Sequence, residues 1–168
     1  MPRINVLPHP LTTVSSSAVV PLGSVFFDTD GVGWVFLYNF GATSTAVGDI
    51  ASIASTYTYG HVSVTAATIA DYTDGTTIRP IIGGVAVSVV ATTKYGWFWF
   101  YGRSTNAITT DGNVAANDLL TVTDGAIIAT REVTAATAHR SPIGVAHAAD
   151  SGTTLSNATL NGDGVFAW

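Results

Sequence analysis

The chain has 168 residues and a net charge of −5, with 47% apolar side chains and only 10% charged ones. One Lys (Lys94), one Glu (Glu132) and no Cys exclude the Glu/Lys-rich makeup of a coiled coil or helical bundle, any disulfide scaffold and any cysteine-ligated zinc. The high hydrophobicity excludes disorder, and six scattered basic residues form no phosphate-binding patch, so nucleic acid is not an expected partner.

Residues 1–22 read as an extended arm. Pro8, Pro10 and Pro21 forbid a regular helix and favour polyproline or β conformations. Ile4–Phe27 carries no charge, but those prolines, His9 and the run Thr12–Ser17 interrupt the continuous apolar stretch that a signal peptide requires. No segment reaches the roughly 18 apolar residues of a membrane span, so no membrane partner is expected.

Residues 23–168 read as the folded body. Turn signals recur at Asp30-Gly31, Phe40-Gly41, Asp74-Gly75, Gly83-Gly84, Asp111-Gly112, Asp124-Gly125, Ser151-Gly152 and Asn161-Gly162. Between them lie short runs rich in Val, Ile, Thr and aromatics: Gly33–Phe40, His61–Ala66, Ile81–Ala91, Tyr95–Tyr101, Leu119–Thr123, Ala126–Arg131 and Gly164–Trp168. Many short strands between glycine turns predict an all-β fold, a single antiparallel β-sandwich or barrel of jelly-roll type. One short segment, Val114–Leu120, has the makings of a helical turn.

A weak internal repeat suggests a duplication, 33–95 and 96–168. Gly33-Trp34-Val35-Phe36-Leu37-Tyr38 is echoed by Gly96-Trp97-Phe98-Trp99-Phe100-Tyr101 and again by Gly164-Val165-Phe166-Ala167-Trp168. Gly48-Asp49-Ile50 parallels Asn117-Asp118-Leu119, and Gly84-Val85-Ala86-Val87 parallels Gly144-Val145-Ala146-His147. Chance likeness among Gly/Val/Ala-rich strands is the competing explanation.

The aromatic strand is the most informative segment. Alternation puts Tyr95, Trp97, Trp99 and Tyr101 on one face and Phe98 and Phe100 on the other, leaving no polar face. Gly33–Phe40 behaves alike, with Trp34, Phe36, Tyr38 and Phe40 opposite Val35 and Leu37. Both faces need cover. The cover is the chain's own core, a neighbouring subunit, or sugar rings stacked on the Trp/Tyr platform.

Surface arithmetic points the same way. A compact monomer of this size exposes roughly 7,800 Å², or one charge per roughly 450 Å² for seventeen charged residues. That sparseness suggests a surface completed by other chains.

Little supports catalysis. His9, His61, His139 and His147 stand apart, and there is no paired-histidine metal motif, nucleophile elbow, Walker A or Rossmann pattern. Asp28-Thr29-Asp30-Gly31 opens like a calcium loop but lacks the distal acid. Asn157-Ala158-Thr159 matches a glycosylation sequon, relevant only to a secreted chain. No enzyme activity, cofactor or metal is expected.

One ordered set of phrases resembles a known family. It runs from Ala46-Val47-Gly48-Asp49-Ile50 through Gly83-Gly84-Val85-Ala86-Val87 to Tyr95-Gly96-Trp97-Phe98-Trp99-Phe100-Tyr101-Gly102. It continues through Ala115-Ala116-Asn117-Asp118-Leu119, Asp124-Gly125-Ala126 and Ile143-Gly144-Val145-Ala146 to Gly164-Val165-Phe166-Ala167-Trp168. Over residues 45–168 this order resembles the capsid decoration (cement) proteins of tailed bacteriophages. The resemblance implies a β-rich homotrimer on the outer surface of the virion, clamping neighbouring major capsid (coat) subunits against the pressure of packed DNA. The arm would then order against an extended surface, such as an exposed strand edge on a neighbour. The residues expected at a subunit or capsid interface are Pro8, Pro10, Trp34, Tyr38, Trp97, Trp99, Tyr101 and Trp168. A glycan-binding β-sandwich of a spike or adhesin is the alternative.

Overall fold

A computed structural model describes residues 10–53, 60–64, 71–73, 78–80, 82–110, 113–121, 130–131, 143–149 and 155–161. Among these residues there is no helix, and Val114–Leu120 is a turn leading into a strand. The twelve strands are β1 (Val25–Phe27), β2 (Gly33–Asn39), β3 (Ile50–Ile53), β4 (His61–Ser63), β5 (Asp71–Thr73) and β6 (Ile78–Pro80). They continue with β7 (Ile82–Ala86), β8 (Tyr95–Thr109), β9 (Leu119–Thr121), β10 (Thr130–Arg131), β11 (Gly144–Ala146) and β12 (Leu155–Asn161).

Five of them close a barrel in the order β2-β4-β3-β7-β8, with β8 returning to β2. The all-β barrel expectation holds. Its closure is not that of a jelly roll, because the β2–β4 seam is parallel while the other four are antiparallel. β1 extends the barrel at β2, and β5 and β6 form a separate hairpin.

The 15-residue β8 serves two purposes. Its first half pairs with β2, and from Tyr101 to Thr109 it pairs with β12, which leads on through β11 and β9 to β10. The order β10-β9-β11-β12-β8 therefore repeats the barrel order β4-β3-β7-β8-β2, with every pairing antiparallel in both. β8 closes the first set and opens the second.

The match extends to single hydrogen bonds. Ile50 pairs with Val85 as Leu119 pairs with Val145. The N–H groups of Ala46 and Ala115 donate to the carboxylates of Asp49 and Asp118, each at 2.7 Å. Gly48 N–H donates to the Ala86 carbonyl and Asn117 N–H to the Ala146 carbonyl, both at 2.8 Å. The two aromatic phrases, the Gly33 strand and the Gly96 strand, pair with each other. Gly164–Trp168 lies outside the described residues.

One apolar cluster joins both strand sets, from Val25 and Trp34 to Ile108, Leu120, Ala158 and Leu160. Glycine is required where strands approach: a Cβ on Gly84 would meet Phe98 Cβ at 2.9 Å, at a φ of 153°.

Candidate interaction surface

The paired aromatic strands place their rings in rows. Trp34 faces Trp99, Phe36 faces Trp97, and Tyr38 faces Tyr95 across the ladder. Directly opposed pairs in an antiparallel ladder share one face, and the rings contact: Phe36 and Trp97 lie 5.3 Å apart, Tyr38 and Tyr95 4.8 Å.

These rows are covered by the chain itself. Trp34, Trp97 and Trp99 are 3%, 1% and 0% exposed, so the three indoles expected at an interface are core residues and present no surface to a partner. A strand with two apolar faces needs cover on both, and packing within one chain supplies it. Part of the cover is the arm. Ser15 and Tyr95 exchange backbone hydrogen bonds of 3.0 and 2.9 Å, and Leu11, Val14, Val19, Val20 and Leu22 pack against the core. From Pro10 onward the arm thus docks on its own body rather than lying free for a neighbour.

The remaining expected residues divide. Pro10 is exposed, Tyr38 is half-buried beside His61, and Tyr101 is 44% exposed. Pro8 and Trp168 lie outside the described residues. With Trp97 and Trp99 inside, Tyr101 is the one ring of the four-ring platform that is substantially exposed.

Other apolar side chains are exposed instead: Val89 at 59%, Leu119 at 47%, Phe40 at 43% and Val47 at 38%. Phe40, Val47 and Val89 sit on neighbouring loops that are stapled together. Buried Asn39 donates from Nδ2 to the carbonyls of Thr43 and Val90, both at 2.9 Å, and its Oδ1 accepts from Gly41 N–H at 3.0 Å. The Thr45 hydroxyl accepts from Val90 N–H at 2.8 Å and donates to the Ser88 carbonyl at 3.1 Å. Thr92 Oγ1 donates to the Gly41 carbonyl at 2.6 Å.

The result is a rigid barrel end displaying apolar side chains. Sequence reasoning missed it because the staples join residues about fifty positions apart, and only the fold reveals such contacts. The one available signal was the run Val85–Val90, where period-2 alternation cannot be satisfied on a single face.

Asp28, the first acid of the calcium-like loop, is engaged within its own turn. Its Oδ1 accepts from the N–H groups of Asp30 and Val32, and Oδ2 accepts from the Trp34 indole at 3.2 Å. Among the described residues no group of three His, Asp or Glu side chains is placed to hold a metal. Asn157 of the sequon is exposed on β12, and the Thr159 hydroxyl lies 2.6 Å from His147 Nε2. Comparison of the chain with protein-family models, curated proteins and solved structures finds no match.

Proposed function

We propose that this chain is a non-enzymatic structural virion protein that binds the outside of a phage capsid as a homotrimer and clamps neighbouring coat subunits. The observation that carries this reading is the stapled barrel end with Phe40, Val47 and Val89 in solvent. Burying a side chain of this kind contributes about 1.5–3 kcal/mol. A preformed loop loses little entropy on docking, and three such ends on one trimer act together. The sparse charge and the family resemblance agree with this reading.

The test has two stages. Light scattering of the purified chain should give three times the 17.3 kDa subunit mass, and the trimer should sediment with heads of the phage that encodes it. Val89→Asp, at a 59% exposed position, should abolish co-sedimentation while the unfolding midpoint stays near wild type. A monomer that ignores the heads would overturn the proposal.

A glycan-binding module of a spike or adhesin is the second reading. It rests on exposed Tyr101, two positions along β8 from Arg103, which pairs across the ladder with Thr159. A glycan array in which no sugar binds wild type better than Tyr101→Ala would leave it without support.

A further inference from the structure

The barrel has one parallel seam, β2–β4, and His61 opens it. His61 pairs with Tyr38 and Val62 with Asn39. Two hydrogen bonds zip the join, from Tyr38 N–H to the Gly60 carbonyl at 2.9 Å and from Phe40 N–H to the Val62 carbonyl at 2.8 Å. The imidazole is held between rings of the facing strand. Tyr38 lies 4.8 Å away and tilted, and Phe40 lies 5.5 Å away, stacked at an interplanar angle of 28°.

Its Nδ1 is buried with no hydrogen-bond partner. An unpartnered nitrogen is tolerated as a bare acceptor, so the neutral ring carries its proton on Nε2. An acid proton would have to sit on Nδ1, where no acceptor receives it.

No carboxylate compensates the charge in the surroundings that are described. The groups facing the ring are the Tyr38 phenol and the Phe40 ring on β2, with Tyr95 of β8 behind Tyr38. On β3, Ser52 and Ile53 pair with Ser63 and Val62. From the arm, Leu22 packs beside Gly60. Residues 54–60 and 64–70, which flank β4 in the chain, contain no Asp, Glu, Lys or Arg.

We infer that His61 is an acid-operated latch: neutral, it holds the parallel seam shut, and protonated, it loosens that seam and frees Phe40 at the exposed barrel end. Burial lowers the His61 pKa below its ordinary 6.5, which gives the sign. The folded chain binds this proton more weakly than the unfolded chain does. The stabilisation is therefore complete above 6.5 and is lost as pH falls through the depressed folded value. The inference depends on the seam geometry and stands whether or not the barrel end meets a capsid.

Amide hydrogen exchange, corrected for intrinsic rates, tests it at pH 7.5 and pH 5.0. Protection of the Tyr38 and Phe40 amides should fall several-fold at pH 5.0, while the β2–β8 amides keep theirs. His61→Phe should abolish the pH response, and His147→Asn, at an exposed histidine, should retain it. An NMR titration of His61 in the wild-type chain decides the matter independently of whether His61→Phe folds. A midpoint at or above 6.5, or an equal response in His61→Phe, would overturn the latch.

Discussion

Trp34 and Trp99 stand directly opposite each other in the β2–β8 pairing, and each indole N–H has its own acceptor. Trp34 donates to Asp28 Oδ2 at 3.2 Å, whereas Trp99 donates to the carbonyls of Tyr101 at 3.0 Å and Gly102 at 3.2 Å. The pair joins the core to the β1–β2 turn and to the point where β8 leaves the barrel for the second strand set. Trp99→Ala should cost about 3–5 kcal/mol by cavity formation. Trp99→Phe should cost about 1–3 kcal/mol, since it keeps much of the volume but strips two carbonyls of their donor. Urea unfolding followed by circular dichroism measures both, and a Trp99→Ala loss below about 1 kcal/mol would show that this ring is not core.

Asp28 is the hub of the β1–β2 turn, with three donors on one carboxylate. Asp28→Ala should lower stability by about 1–3 kcal/mol, because the Trp34 N–H loses its acceptor in a part-buried site. Asp28→Asn should recover the bonds to Asp30 and Val32 but not the one to Trp34, where an amide group would meet another donor. Calcium and EDTA should leave the melting temperature of wild type unchanged. A calcium-dependent rise would show that the loop holds the ion as well as the turn.

Gly48 and Asn117 are equivalent in the two strand sets, and both adopt the left-handed conformation, with φ of 89° and 71°. An ordinary L-residue there is strained by about 1–2 kcal/mol, while Asn tolerates it better. Gly48→Asn should therefore cost less than Gly48→Ala, and Gly48→Val should cost most. Asn117→Gly should lie within about 0.5 kcal/mol of wild type. Thermal melts of the four variants give the ranking, and equal losses for Gly48→Asn and Gly48→Val would show that the two turns are not interchangeable.

Among the described turn signals, Asp30-Gly31 and Phe40-Gly41 fall at a turn and a bend, whereas Gly83-Gly84 lies inside β7. In Asp28–Gly31, Gly48-Asp49 and Asn117-Asp118 the carboxylate accepts from a backbone N–H two to four positions away, a local part of each turn that the sequence carries, while the bonds to Trp34, Ala86 and Ala146 depend on the fold. The likeness of Gly84-Val85-Ala86 to Gly144-Val145-Ala146 was legible for the same reason, and both segments pair with the strand that follows their matching turn. Strand partnership was not legible. Two-sided apolar strands announce that both faces need cover, but nothing local says whether another subunit or the same chain provides it. Here the chain's own core covers both strands, with arm residues packed against it, so the indoles moved from expected surface to core. The exposed apolar residues were hidden for the converse reason: Val89 is exposed because Asn39 and Thr45 hold its loop from across the barrel end.

Asp49 provides the second pH handle, with a slope opposite to that of His61. It is 8% exposed and accepts from Ala46 N–H at 2.7 Å. Burial pushes its carboxyl above the usual 3.8, and the bond to Ala46 pulls it partly back. The folded chain therefore holds this proton more tightly than the unfolded one. The group's stabilising contribution is fully present below 3.8 and is lost as pH rises through the raised folded value. Asp49→Asn keeps an oxygen for the Ala46 N–H and removes the buried charge. The variant should be at least as stable as wild type at pH 7, with the difference shifting towards wild type as pH falls to 3.5. Denaturant midpoints at pH 7.0, 5.0 and 3.5 check this. A gap independent of pH, or one that shifts towards the variant on acidification, would show that burial does not set the Asp49 titration.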